Sequence, residues 1–318
     1  MGIMVRGKWQ QQDFAERNRK GNYVRPDTAF RHCIGEAGFP AQAGRYHLVV
    51  AHACPWAHRT LIFRALKGLE EVISVAYVEP LMLENGWELM DGGDPVTGAK
   101  YTHQIYAQAV PDYSGRCSVP VLWDKEARTI VNNESSEIIR MFNSAFDDLA
   151  TKPVPDLYPE HLRAEIDAVN DVVYNNINNG VYKAGFATTQ EVYESVFAAL
   201  FEALDEMEAR LDGQRYLTGP RITEADWRLF ATLVRFDAVY VGHFKCNRQR
   251  IADYPNLSNY LRELYQWPGI AATVDIPRIK QHYYGSHTAI NPFAIVPVGP
   301  DLDFHSPHDR HRLPDENG

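Results

Sequence analysis

The sequence predicts two domains, a mixed α/β domain followed by an all-α one. Between residue 45 and about 145, short apolar runs alternate with amphipathic segments, the pattern of strands joined by helices. From about 160 to 282, apolar residues recur instead at helical spacing, a period of 3.6. The length of 318 residues also suits two domains, at roughly 100–200 residues each. The expected boundaries are an N-terminal extension over 1–44, the α/β domain over 45–150, the helical domain over 156–285 and a C-terminal extension over 286–318.

The N-terminal extension is polar, with scattered Gly and Pro, and reads as an irregular arm on the surface. Tyr46-His47-Leu48-Val49-Val50-Ala51 is the first strand, and a helix carrying Leu61, Ile62, Ala65 and Leu66 follows it. Val72-Ile73-Ser74-Val75-Ala76-Tyr77-Val78 is the second strand. A strand-helix-strand unit makes these two strands parallel. Residues 80–115 are rich in Gly, Asp and Pro. They exceed ordinary connections in length, which marks an insertion or a functional loop.

Ser118-Val119-Pro120-Val121-Leu122-Trp123 and Thr129-Ile130-Val131-Asn132 are separated by Asp124-Lys125-Glu126 and form an antiparallel hairpin. Asn133-Glu134-Ser135-Ser136-Glu137 then opens a helix through Ile138, Ile139, Met141 and Phe142. The order β-α-β-insertion-β-β-α is the thioredoxin-like arrangement, and Val119-Pro120 stands where that fold keeps a cis proline.

Past the linker Lys152-Pro153-Val154-Pro155, Leu162, Ile166, Val169, Val173 and Ile177 define one apolar helical face. Val196, Leu200, Leu204, Met207 and Leu211 define a second, closed by Gly213, a residue suited to helix ends. Thr223-Glu224-Ala225-Asp226 opens a third helix, with Asp in the usual Glu place of a capping box. Pro255 starts a fourth around Leu257, Leu261 and Leu264, ended by Trp267-Pro268-Gly269. The Pro- and His-rich tail reads as irregular. His305, His308 and His311 are spaced by three, but Pro307 opposes a helix there, and they read as a solvated tail rather than a metal site.

Composition narrows the function classes. A net charge of −9 opposes nucleic-acid binding, which needs basic surface, and suits an anionic membrane poorly. No apolar run approaches the ~18 residues of a membrane span. Met1–Trp9 lacks the apolar core of a signal peptide, and Arg6 stands where a myristoylation signal needs Ser or Thr. The expected location is cytoplasmic. Cys33, Cys54, Cys117 and Cys246 form no zinc-like pairs and are expected as thiols in a reducing compartment. Cys33, Cys117 and Cys246 read as packing residues.

Cys54 is the exception. It follows the first strand in His52-Ala53-Cys54-Pro55-Trp56-Ala57-His58-Arg59, where Pro55 suits the first helical position. A thiol there faces unpaired backbone N–H groups and the positive end of the helix dipole. Both favour thiolate, the nucleophilic form. Ala57 occupies the place of the second cysteine of a Cys-x-x-Cys motif. An outside thiol must therefore resolve any disulfide formed at Cys54.

Several longer stretches carry a resemblance. Cys54-Pro55-Trp56-Ala57-His58-Arg59-Thr60, Leu83-Glu84-Asn85-Gly86-Trp87, Tyr113-Ser114-Gly115-Arg116, Val119-Pro120-Val121-Leu122-Trp123-Asp124 and Asn133-Glu134-Ser135 lie in the first domain. Asn179-Gly180-Val181-Tyr182-Lys183-Ala184-Gly185-Phe186, His282-Tyr283-Tyr284, Ile290-Asn291-Pro292 and Gly299-Pro300 follow. Together, from about residue 45 to 300, the chain resembles the glutathionyl-hydroquinone reductases, the Xi class of the glutathione transferase superfamily.

The resemblance implies a thioredoxin-like domain followed by an all-helical glutathione transferase C-terminal domain. It implies glutathione as co-substrate and glutathionyl-hydroquinone as substrate, with no metal, flavin or nicotinamide. The absence of G-x-G-x-x-G and of metal-ligand spacing agrees. It implies a homodimer.

Residue by residue, Cys54 is expected to attack the glutathionyl sulfur, and a second glutathione to resolve the mixed disulfide. Glu134 and Ser135 suit the ammonium and carboxylate of the γ-glutamyl end, though an ordinary helix cap fits the same spacing. Val119 is expected to offer its N–H and C=O to the cysteinyl part, Trp87 to lie against bound glutathione, and Arg116 beside its charged ends.

Tyr182 and Tyr283 are the expected phenol donors to the hydroquinone oxygens, and Tyr284 lines the same pocket. His282 reads as a structural hydrogen-bonding residue beside them. Cys117, two residues before Val119, departs from the pattern as a second thiol near the site. An omega-like thioltransferase or dehydroascorbate reductase also uses one cysteine. A non-catalytic glutathione transferase-like binding module is the remaining alternative.

Overall fold

A computed structural model describes residues 2–11, 16–18, 20–24, 27–152 and 155–316. Parts of the N-terminal extension, and Pro153-Val154 of the expected linker, lie outside the described residues. The chain divides into two units. The first takes in Met1–Phe14, Pro26–Val154 and Thr273–Val296, the second Ala15–Arg25, Pro155–Ala272 and Pro297–Gly318.

The N-terminal extension is more ordered than its composition suggests. In the first unit, β1 (Gly2–Val5) and β2 (Lys8–Gln11) form an antiparallel hairpin. Its turn residues Arg6 and Gly7 have φ of 47° and 74°. Two positive φ values give the mirror-image turn that matches strand twist. Arg-Gly is a weaker signal for that turn than Asn-Gly, which is why the composition reads as irregular. In the second unit, β3 (Glu16–Arg17) pairs antiparallel with β4 (Tyr23–Val24).

The first unit continues through β5 (Tyr46–Val50), α1 (Pro55–Leu66), β6 (Ser74–Leu83), β7 (Gly86–Leu89), α2 (Thr102–Ala109), β8 (Val121–Asp124), β9 (Thr129–Asn132) and α3 (Ser135–Ser144). The sheet order is β7-β6-β5-β8-β9. β5 pairs parallel with β6, and every other pairing is antiparallel. β5 is central and buried along its length, as its uninterrupted apolar run requires.

The stretch 80–115 is not a long loop. β6 runs on to Leu83, β7 turns back along it, and α2 follows. Leu83 pairs with Gly86 across the turn Glu84-Asn85, and Gly86 opens β7 at φ 75°, so the Asn-Gly step that signals a hairpin lies at the exit of the turn, masked by the Gly/Asp-rich composition. α2 starts with a reciprocal cap between Tyr101 and Gln104.

In the second unit, α4 (Arg163–Val172) passes through a π-helical segment, Val173–Asn178, into α5 (Gly180–Gly185). α6 (Gln190–Gly213) and α7 (Glu224–Arg235) follow, the latter extended by a π segment, Phe236–Tyr240, and then α8 (Pro255–Tyr265). Ile166, Val169, Val173 and Ile177 are buried, as are Leu200, Leu204, Met207 and Leu211. Leu162 and Val196, at the ends of those faces, are half-buried. Thr223 and Asp226 make the expected capping box in reciprocal form. The last helix, α9 (Ile276–Ser286), belongs to the first unit and packs on β6.

The C-terminal tail is largely irregular but not simply solvated. His305 and His311 are exposed and His308 is half-buried, whereas Arg310 is fully buried. Its guanidinium donates to the carbonyls of Leu211, Gln214 and Arg215 at 2.6–2.7 Å. That places a cation on one carbonyl of the last turn of α6 and on two just beyond its end, where the helix dipole is negative.

Candidate active site

Strand directions gather the candidate residues of the first unit at one end of the sheet. β8 is antiparallel to β5, and β9 antiparallel to β8. The C-terminal end of β5, the N-terminal end of β8 and the C-terminal end of β9 therefore coincide. Cys54 follows the first of these ends, Val119 precedes the second, and Glu134-Ser135 follow the third.

Cys54 is the N-cap of α1, with φ −76° and ψ 117°, and Pro55 takes the first helical position. Its carbonyl accepts the first helical hydrogen bond from His58 N–H at 2.9 Å. The Cys54 thiol is half-buried and donates to the Val119 carbonyl at 3.5 Å. Val119 leads into Pro120 through a cis peptide bond. The thiol thus sits at the positive end of α1, beside the backbone of Val119. Behind it, the His58 ring, fully buried, meets Thr273 Oγ1 at 2.8 Å.

Glu134 caps α3, and Ser135 is the first residue of that helix. The Glu134 carboxylate accepts from Ser136 N–H at 3.1 Å, Ser136 Oγ at 2.9 Å and Thr28 Oγ1 at 3.3 Å. The N-terminal segment thus reaches this corner. Phe30 N–H donates to Asn133 Oδ1, and Arg31 pairs with Glu137, which also accepts from Asn132. Glu137 is held below the usual carboxylate range, first by the hydrogen bond from Arg31. Thr28 and Arg31 carry no short-range signal in the sequence, and only the folded chain brings them to α3.

Trp87 lies on β7, buried, and stacks on His282 of α9 with ring centroids 4.7 Å apart. His282 Nδ1 lies 2.9 Å from the Pro80 carbonyl, which suits a structural role. Tyr283 is buried beside His282 and His287, and Tyr284 is half-buried. Arg116 donates to the Gly2 carbonyl at 3.2 Å, so β1 shares its loop. Cys117 is buried, and burial pushes its thiol well up, which suits packing rather than nucleophilic chemistry. Burial does the same to Cys246 and, more weakly, to Cys33.

Tyr182 belongs to the second unit, on α5, within a nest of aromatic rings. Centroid distances to Phe244, Tyr240 and Phe186 are 5.4, 6.2 and 6.4 Å. Gly185 is required here, since a Cβ would lie 2.2 Å from the Phe244 ring. Tyr240 and Phe244 were not singled out from the sequence. Tyr240 ends the π segment and Phe244 lies in the turn after it, so no helical periodicity marks the pair in the sequence. Among the described residues, no group of three or more His, Cys, Asp or Glu is arranged to hold a metal ion.

Comparison with known proteins shows the family. The family model for the glutathione S-transferase N-terminal domain matches residues 53–145, and that for the C-terminal domain matches 190–263. Over 304 residues the chain is 53% identical to the glutathionyl-hydroquinone reductase PcpF of Sphingobium chlorophenolicum, covering 94% of this chain and 96% of that protein. It superposes on a Xi-class glutathione transferase from Natrialba magadii with a TM-score of 0.92 and 49% identity, covering 99% of this chain and 98% of the other. The chain belongs to the Xi-class glutathione transferases.

A glutathione-bound structure of YqjG, a glutathione transferase homologue from Escherichia coli K-12, matches this Xi-class chain with a TM-score of 0.87 and 51% identity. It covers 97% of this chain and 99% of that one. The Xi-class chain thus has the thioredoxin-like N-terminal and helical C-terminal domains of the superfamily.

Proposed function

We propose that this protein reduces glutathionyl-hydroquinones to hydroquinones at the expense of glutathione. The observation that carries the reading is the Cys54 thiol, capping α1 against the Val119 carbonyl, with Ala57 where a resolving cysteine would stand. It occurs in a chain alike over nearly its whole length to proteins named for this reaction.

In the proposed cycle the Cys54 thiolate attacks the sulfur of the glutathionyl thioether. The S–S bond of a Cys54–glutathione mixed disulfide forms and the carbon–sulfur bond breaks. The electron pair leaves on the ring carbon, which takes a proton to give the hydroquinone. A thioether carbon in an aromatic ring leaves poorly, but its keto tautomer leaves as an enolate-like carbanion. The Tyr182 and Tyr283 phenols donate to the ring oxygens and stabilise that charge.

A second glutathione thiolate then attacks the glutathione sulfur of the mixed disulfide, releasing glutathione disulfide and the Cys54 thiolate. Two glutathione sulfurs are oxidised and one carbon is reduced. Glu134 binds the γ-glutamyl ammonium, the α3 N-terminus with Ser135 binds its carboxylate, and Val119 pairs with the cysteinyl backbone. Trp87 and Arg116 flank the tripeptide, and Tyr284 lines the substrate side.

The aromatic nest around Tyr182 favours an aromatic leaving group over the small disulfides or dehydroascorbate of an omega-like enzyme. The protein is proposed to act in the cytoplasm as a homodimer. The reading is tested by mixing pure protein, glutathione and a glutathionyl-hydroquinone and following hydroquinone release. Release matched by glutathione disulfide supports it, and no release above the protein-free rate overturns it.

A further inference from the structure

The segment that brings Tyr23 to Tyr182 has no role in the cycle above. β4 carries Tyr23 in the second unit, and its ring lies 6.2 Å from the Tyr182 ring and 5.7 Å from that of Phe186. Tyr182, Phe186, Tyr240 and Phe244 are all buried, whereas Tyr23 is half-exposed. Tyr23 therefore lies on the solvent side of this nest and covers Tyr182 there.

The strand is placed by specific contacts. Gly21 is buried at φ 84°, and a Cβ on it would lie 2.4 Å from Thr188 Oγ1. Asn18 Oδ1 accepts from Lys20 N–H at 3.0 Å and Asn22 N–H at 3.1 Å, and Gly21 N–H donates to the Asn18 carbonyl at 2.9 Å. This turn and the Gly21–Thr188 approach seat the strand on the connection after α5, one residue type deciding how close it comes.

A half-exposed ring on so short a strand adds little to a core. Stacked on a phenol meant to meet a substrate, it fixes the direction of that phenol and adds a flat wall. Resting on the reaction proposed above, we infer that Tyr23 is a specificity-determining residue for the aromatic leaving group, positioning Tyr182 and excluding water from it. The N-terminal extension is then part of the hydroquinone site.

The test compares wild type, Tyr23→Ala, Tyr23→Leu and Tyr23→Phe in the full chain. Two readouts are taken: kcat and KM with a glutathionyl-hydroquinone, and the rate at which iodoacetamide alkylates Cys54, followed by mass spectrometry. Loss of an aromatic pair predicts a fall in kcat/KM of about tenfold for Tyr23→Ala. Tyr23→Leu, which keeps bulk without a flat ring, falls in the same direction, and Tyr23→Phe stays within about twofold of wild type. Alkylation of Cys54 is unchanged in all three.

Tyr23→Ala and Tyr23→Leu both retaining wild-type kcat/KM overturns the inference, as does an equal loss in turnover and alkylation. If Tyr23→Ala does not fold, Tyr23→Leu against Tyr23→Phe decides. A wild-type protein that releases no hydroquinone defeats the proposed reaction instead, so the two failures are distinguishable.

Discussion

Replacing Asp226 with Ala should destabilise the helical unit in a pH-dependent way. Asp226 is fully buried and accepts from Leu217 N–H at 2.9 Å, Thr223 N–H at 2.8 Å, Thr223 Oγ1 at 3.2 Å and Tyr260 OH at 2.7 Å. Removing the acceptor leaves buried donors unpaired, at about 1–3 kcal/mol each. Against this, burial pushes the Asp226 carboxyl up to about 6, the four donated hydrogen bonds only partly opposing it. Holding it ionised at pH 7 thus costs about 3 kcal/mol relative to the unfolded chain. Even at the low end of that range, four donors left unpaired outweigh the ionisation cost, so the net loss for Asp226→Ala at pH 7 is at least about 1 kcal/mol.

The folded pKa is raised, so between the unfolded value and about 6 the folded state binds the extra proton. The Asp226 contribution is therefore fully present below the unfolded pKa and declines as pH rises through about 6. The Asp226→Ala cost should be larger at pH 5 than at pH 7 by about 1 kcal/mol. Urea unfolding of both proteins at the two pH values, followed by circular dichroism, measures this. A cost that is unchanged, or larger at pH 7, refutes the reasoning about the buried carboxyl. A cost under about 0.5 kcal/mol at both refutes the hydrogen-bond accounting.

Two further outcomes concern the site. Glu134→Gln keeps a side-chain oxygen to cap α3 but removes the charge proposed to bind the glutathione ammonium. The KM for glutathione should rise about tenfold or more with kcat within about twofold, since bonds to charged groups contribute about 1.5–3 kcal/mol. Steady-state kinetics with varied glutathione checks it, and an unchanged KM removes Glu134 from the binding role. Tyr182→Phe and Tyr283→Phe should each lower kcat about 10²-fold for glutathionyl-hydroquinones, with Cys54 alkylation by iodoacetamide unaffected. Equal losses in both readouts would make these tyrosines structural.

Legibility in the sequence followed the range of the interactions. β5 and α1 declared themselves through a continuous apolar run and a Pro at the helix start. The Thr223-Asp226 box did so through a four-residue pattern whose two ends bond each other. Such elements are fixed by neighbours in the chain.

β7 and α2 were hidden by Gly and Asp residues that read as loop, although Asn85-Gly86 stands where the turn after β6 leads into β7. The β1–β2 hairpin rests on an Arg-Gly turn and on pairing of Met4 with Gly115, far away in sequence. The same holds for Thr28 on Glu134, Tyr23 on Tyr182 and Arg310 on the end of α6. Each is a long-range contact by a residue of a common surface type, and no local pattern announces it. The placement of Cys54 at a helix start, by contrast, was legible because the end of an apolar strand run and a proline fall beside it in the chain.

The central claim is that Cys54 carries glutathione between its thioether and its disulfide. The most direct measurement mixes one equivalent of a glutathionyl-hydroquinone with wild type and with Cys54→Ser, without free glutathione. Hydroquinone release and the mass of the protein are then read together. Wild type should give a burst of hydroquinone equal to the protein present, with one glutathione held on Cys54 and removed by added glutathione. Cys54→Ser should give neither burst nor adduct. Full activity in Cys54→Ser, or hydroquinone release without a Cys54 adduct, would contradict the claim.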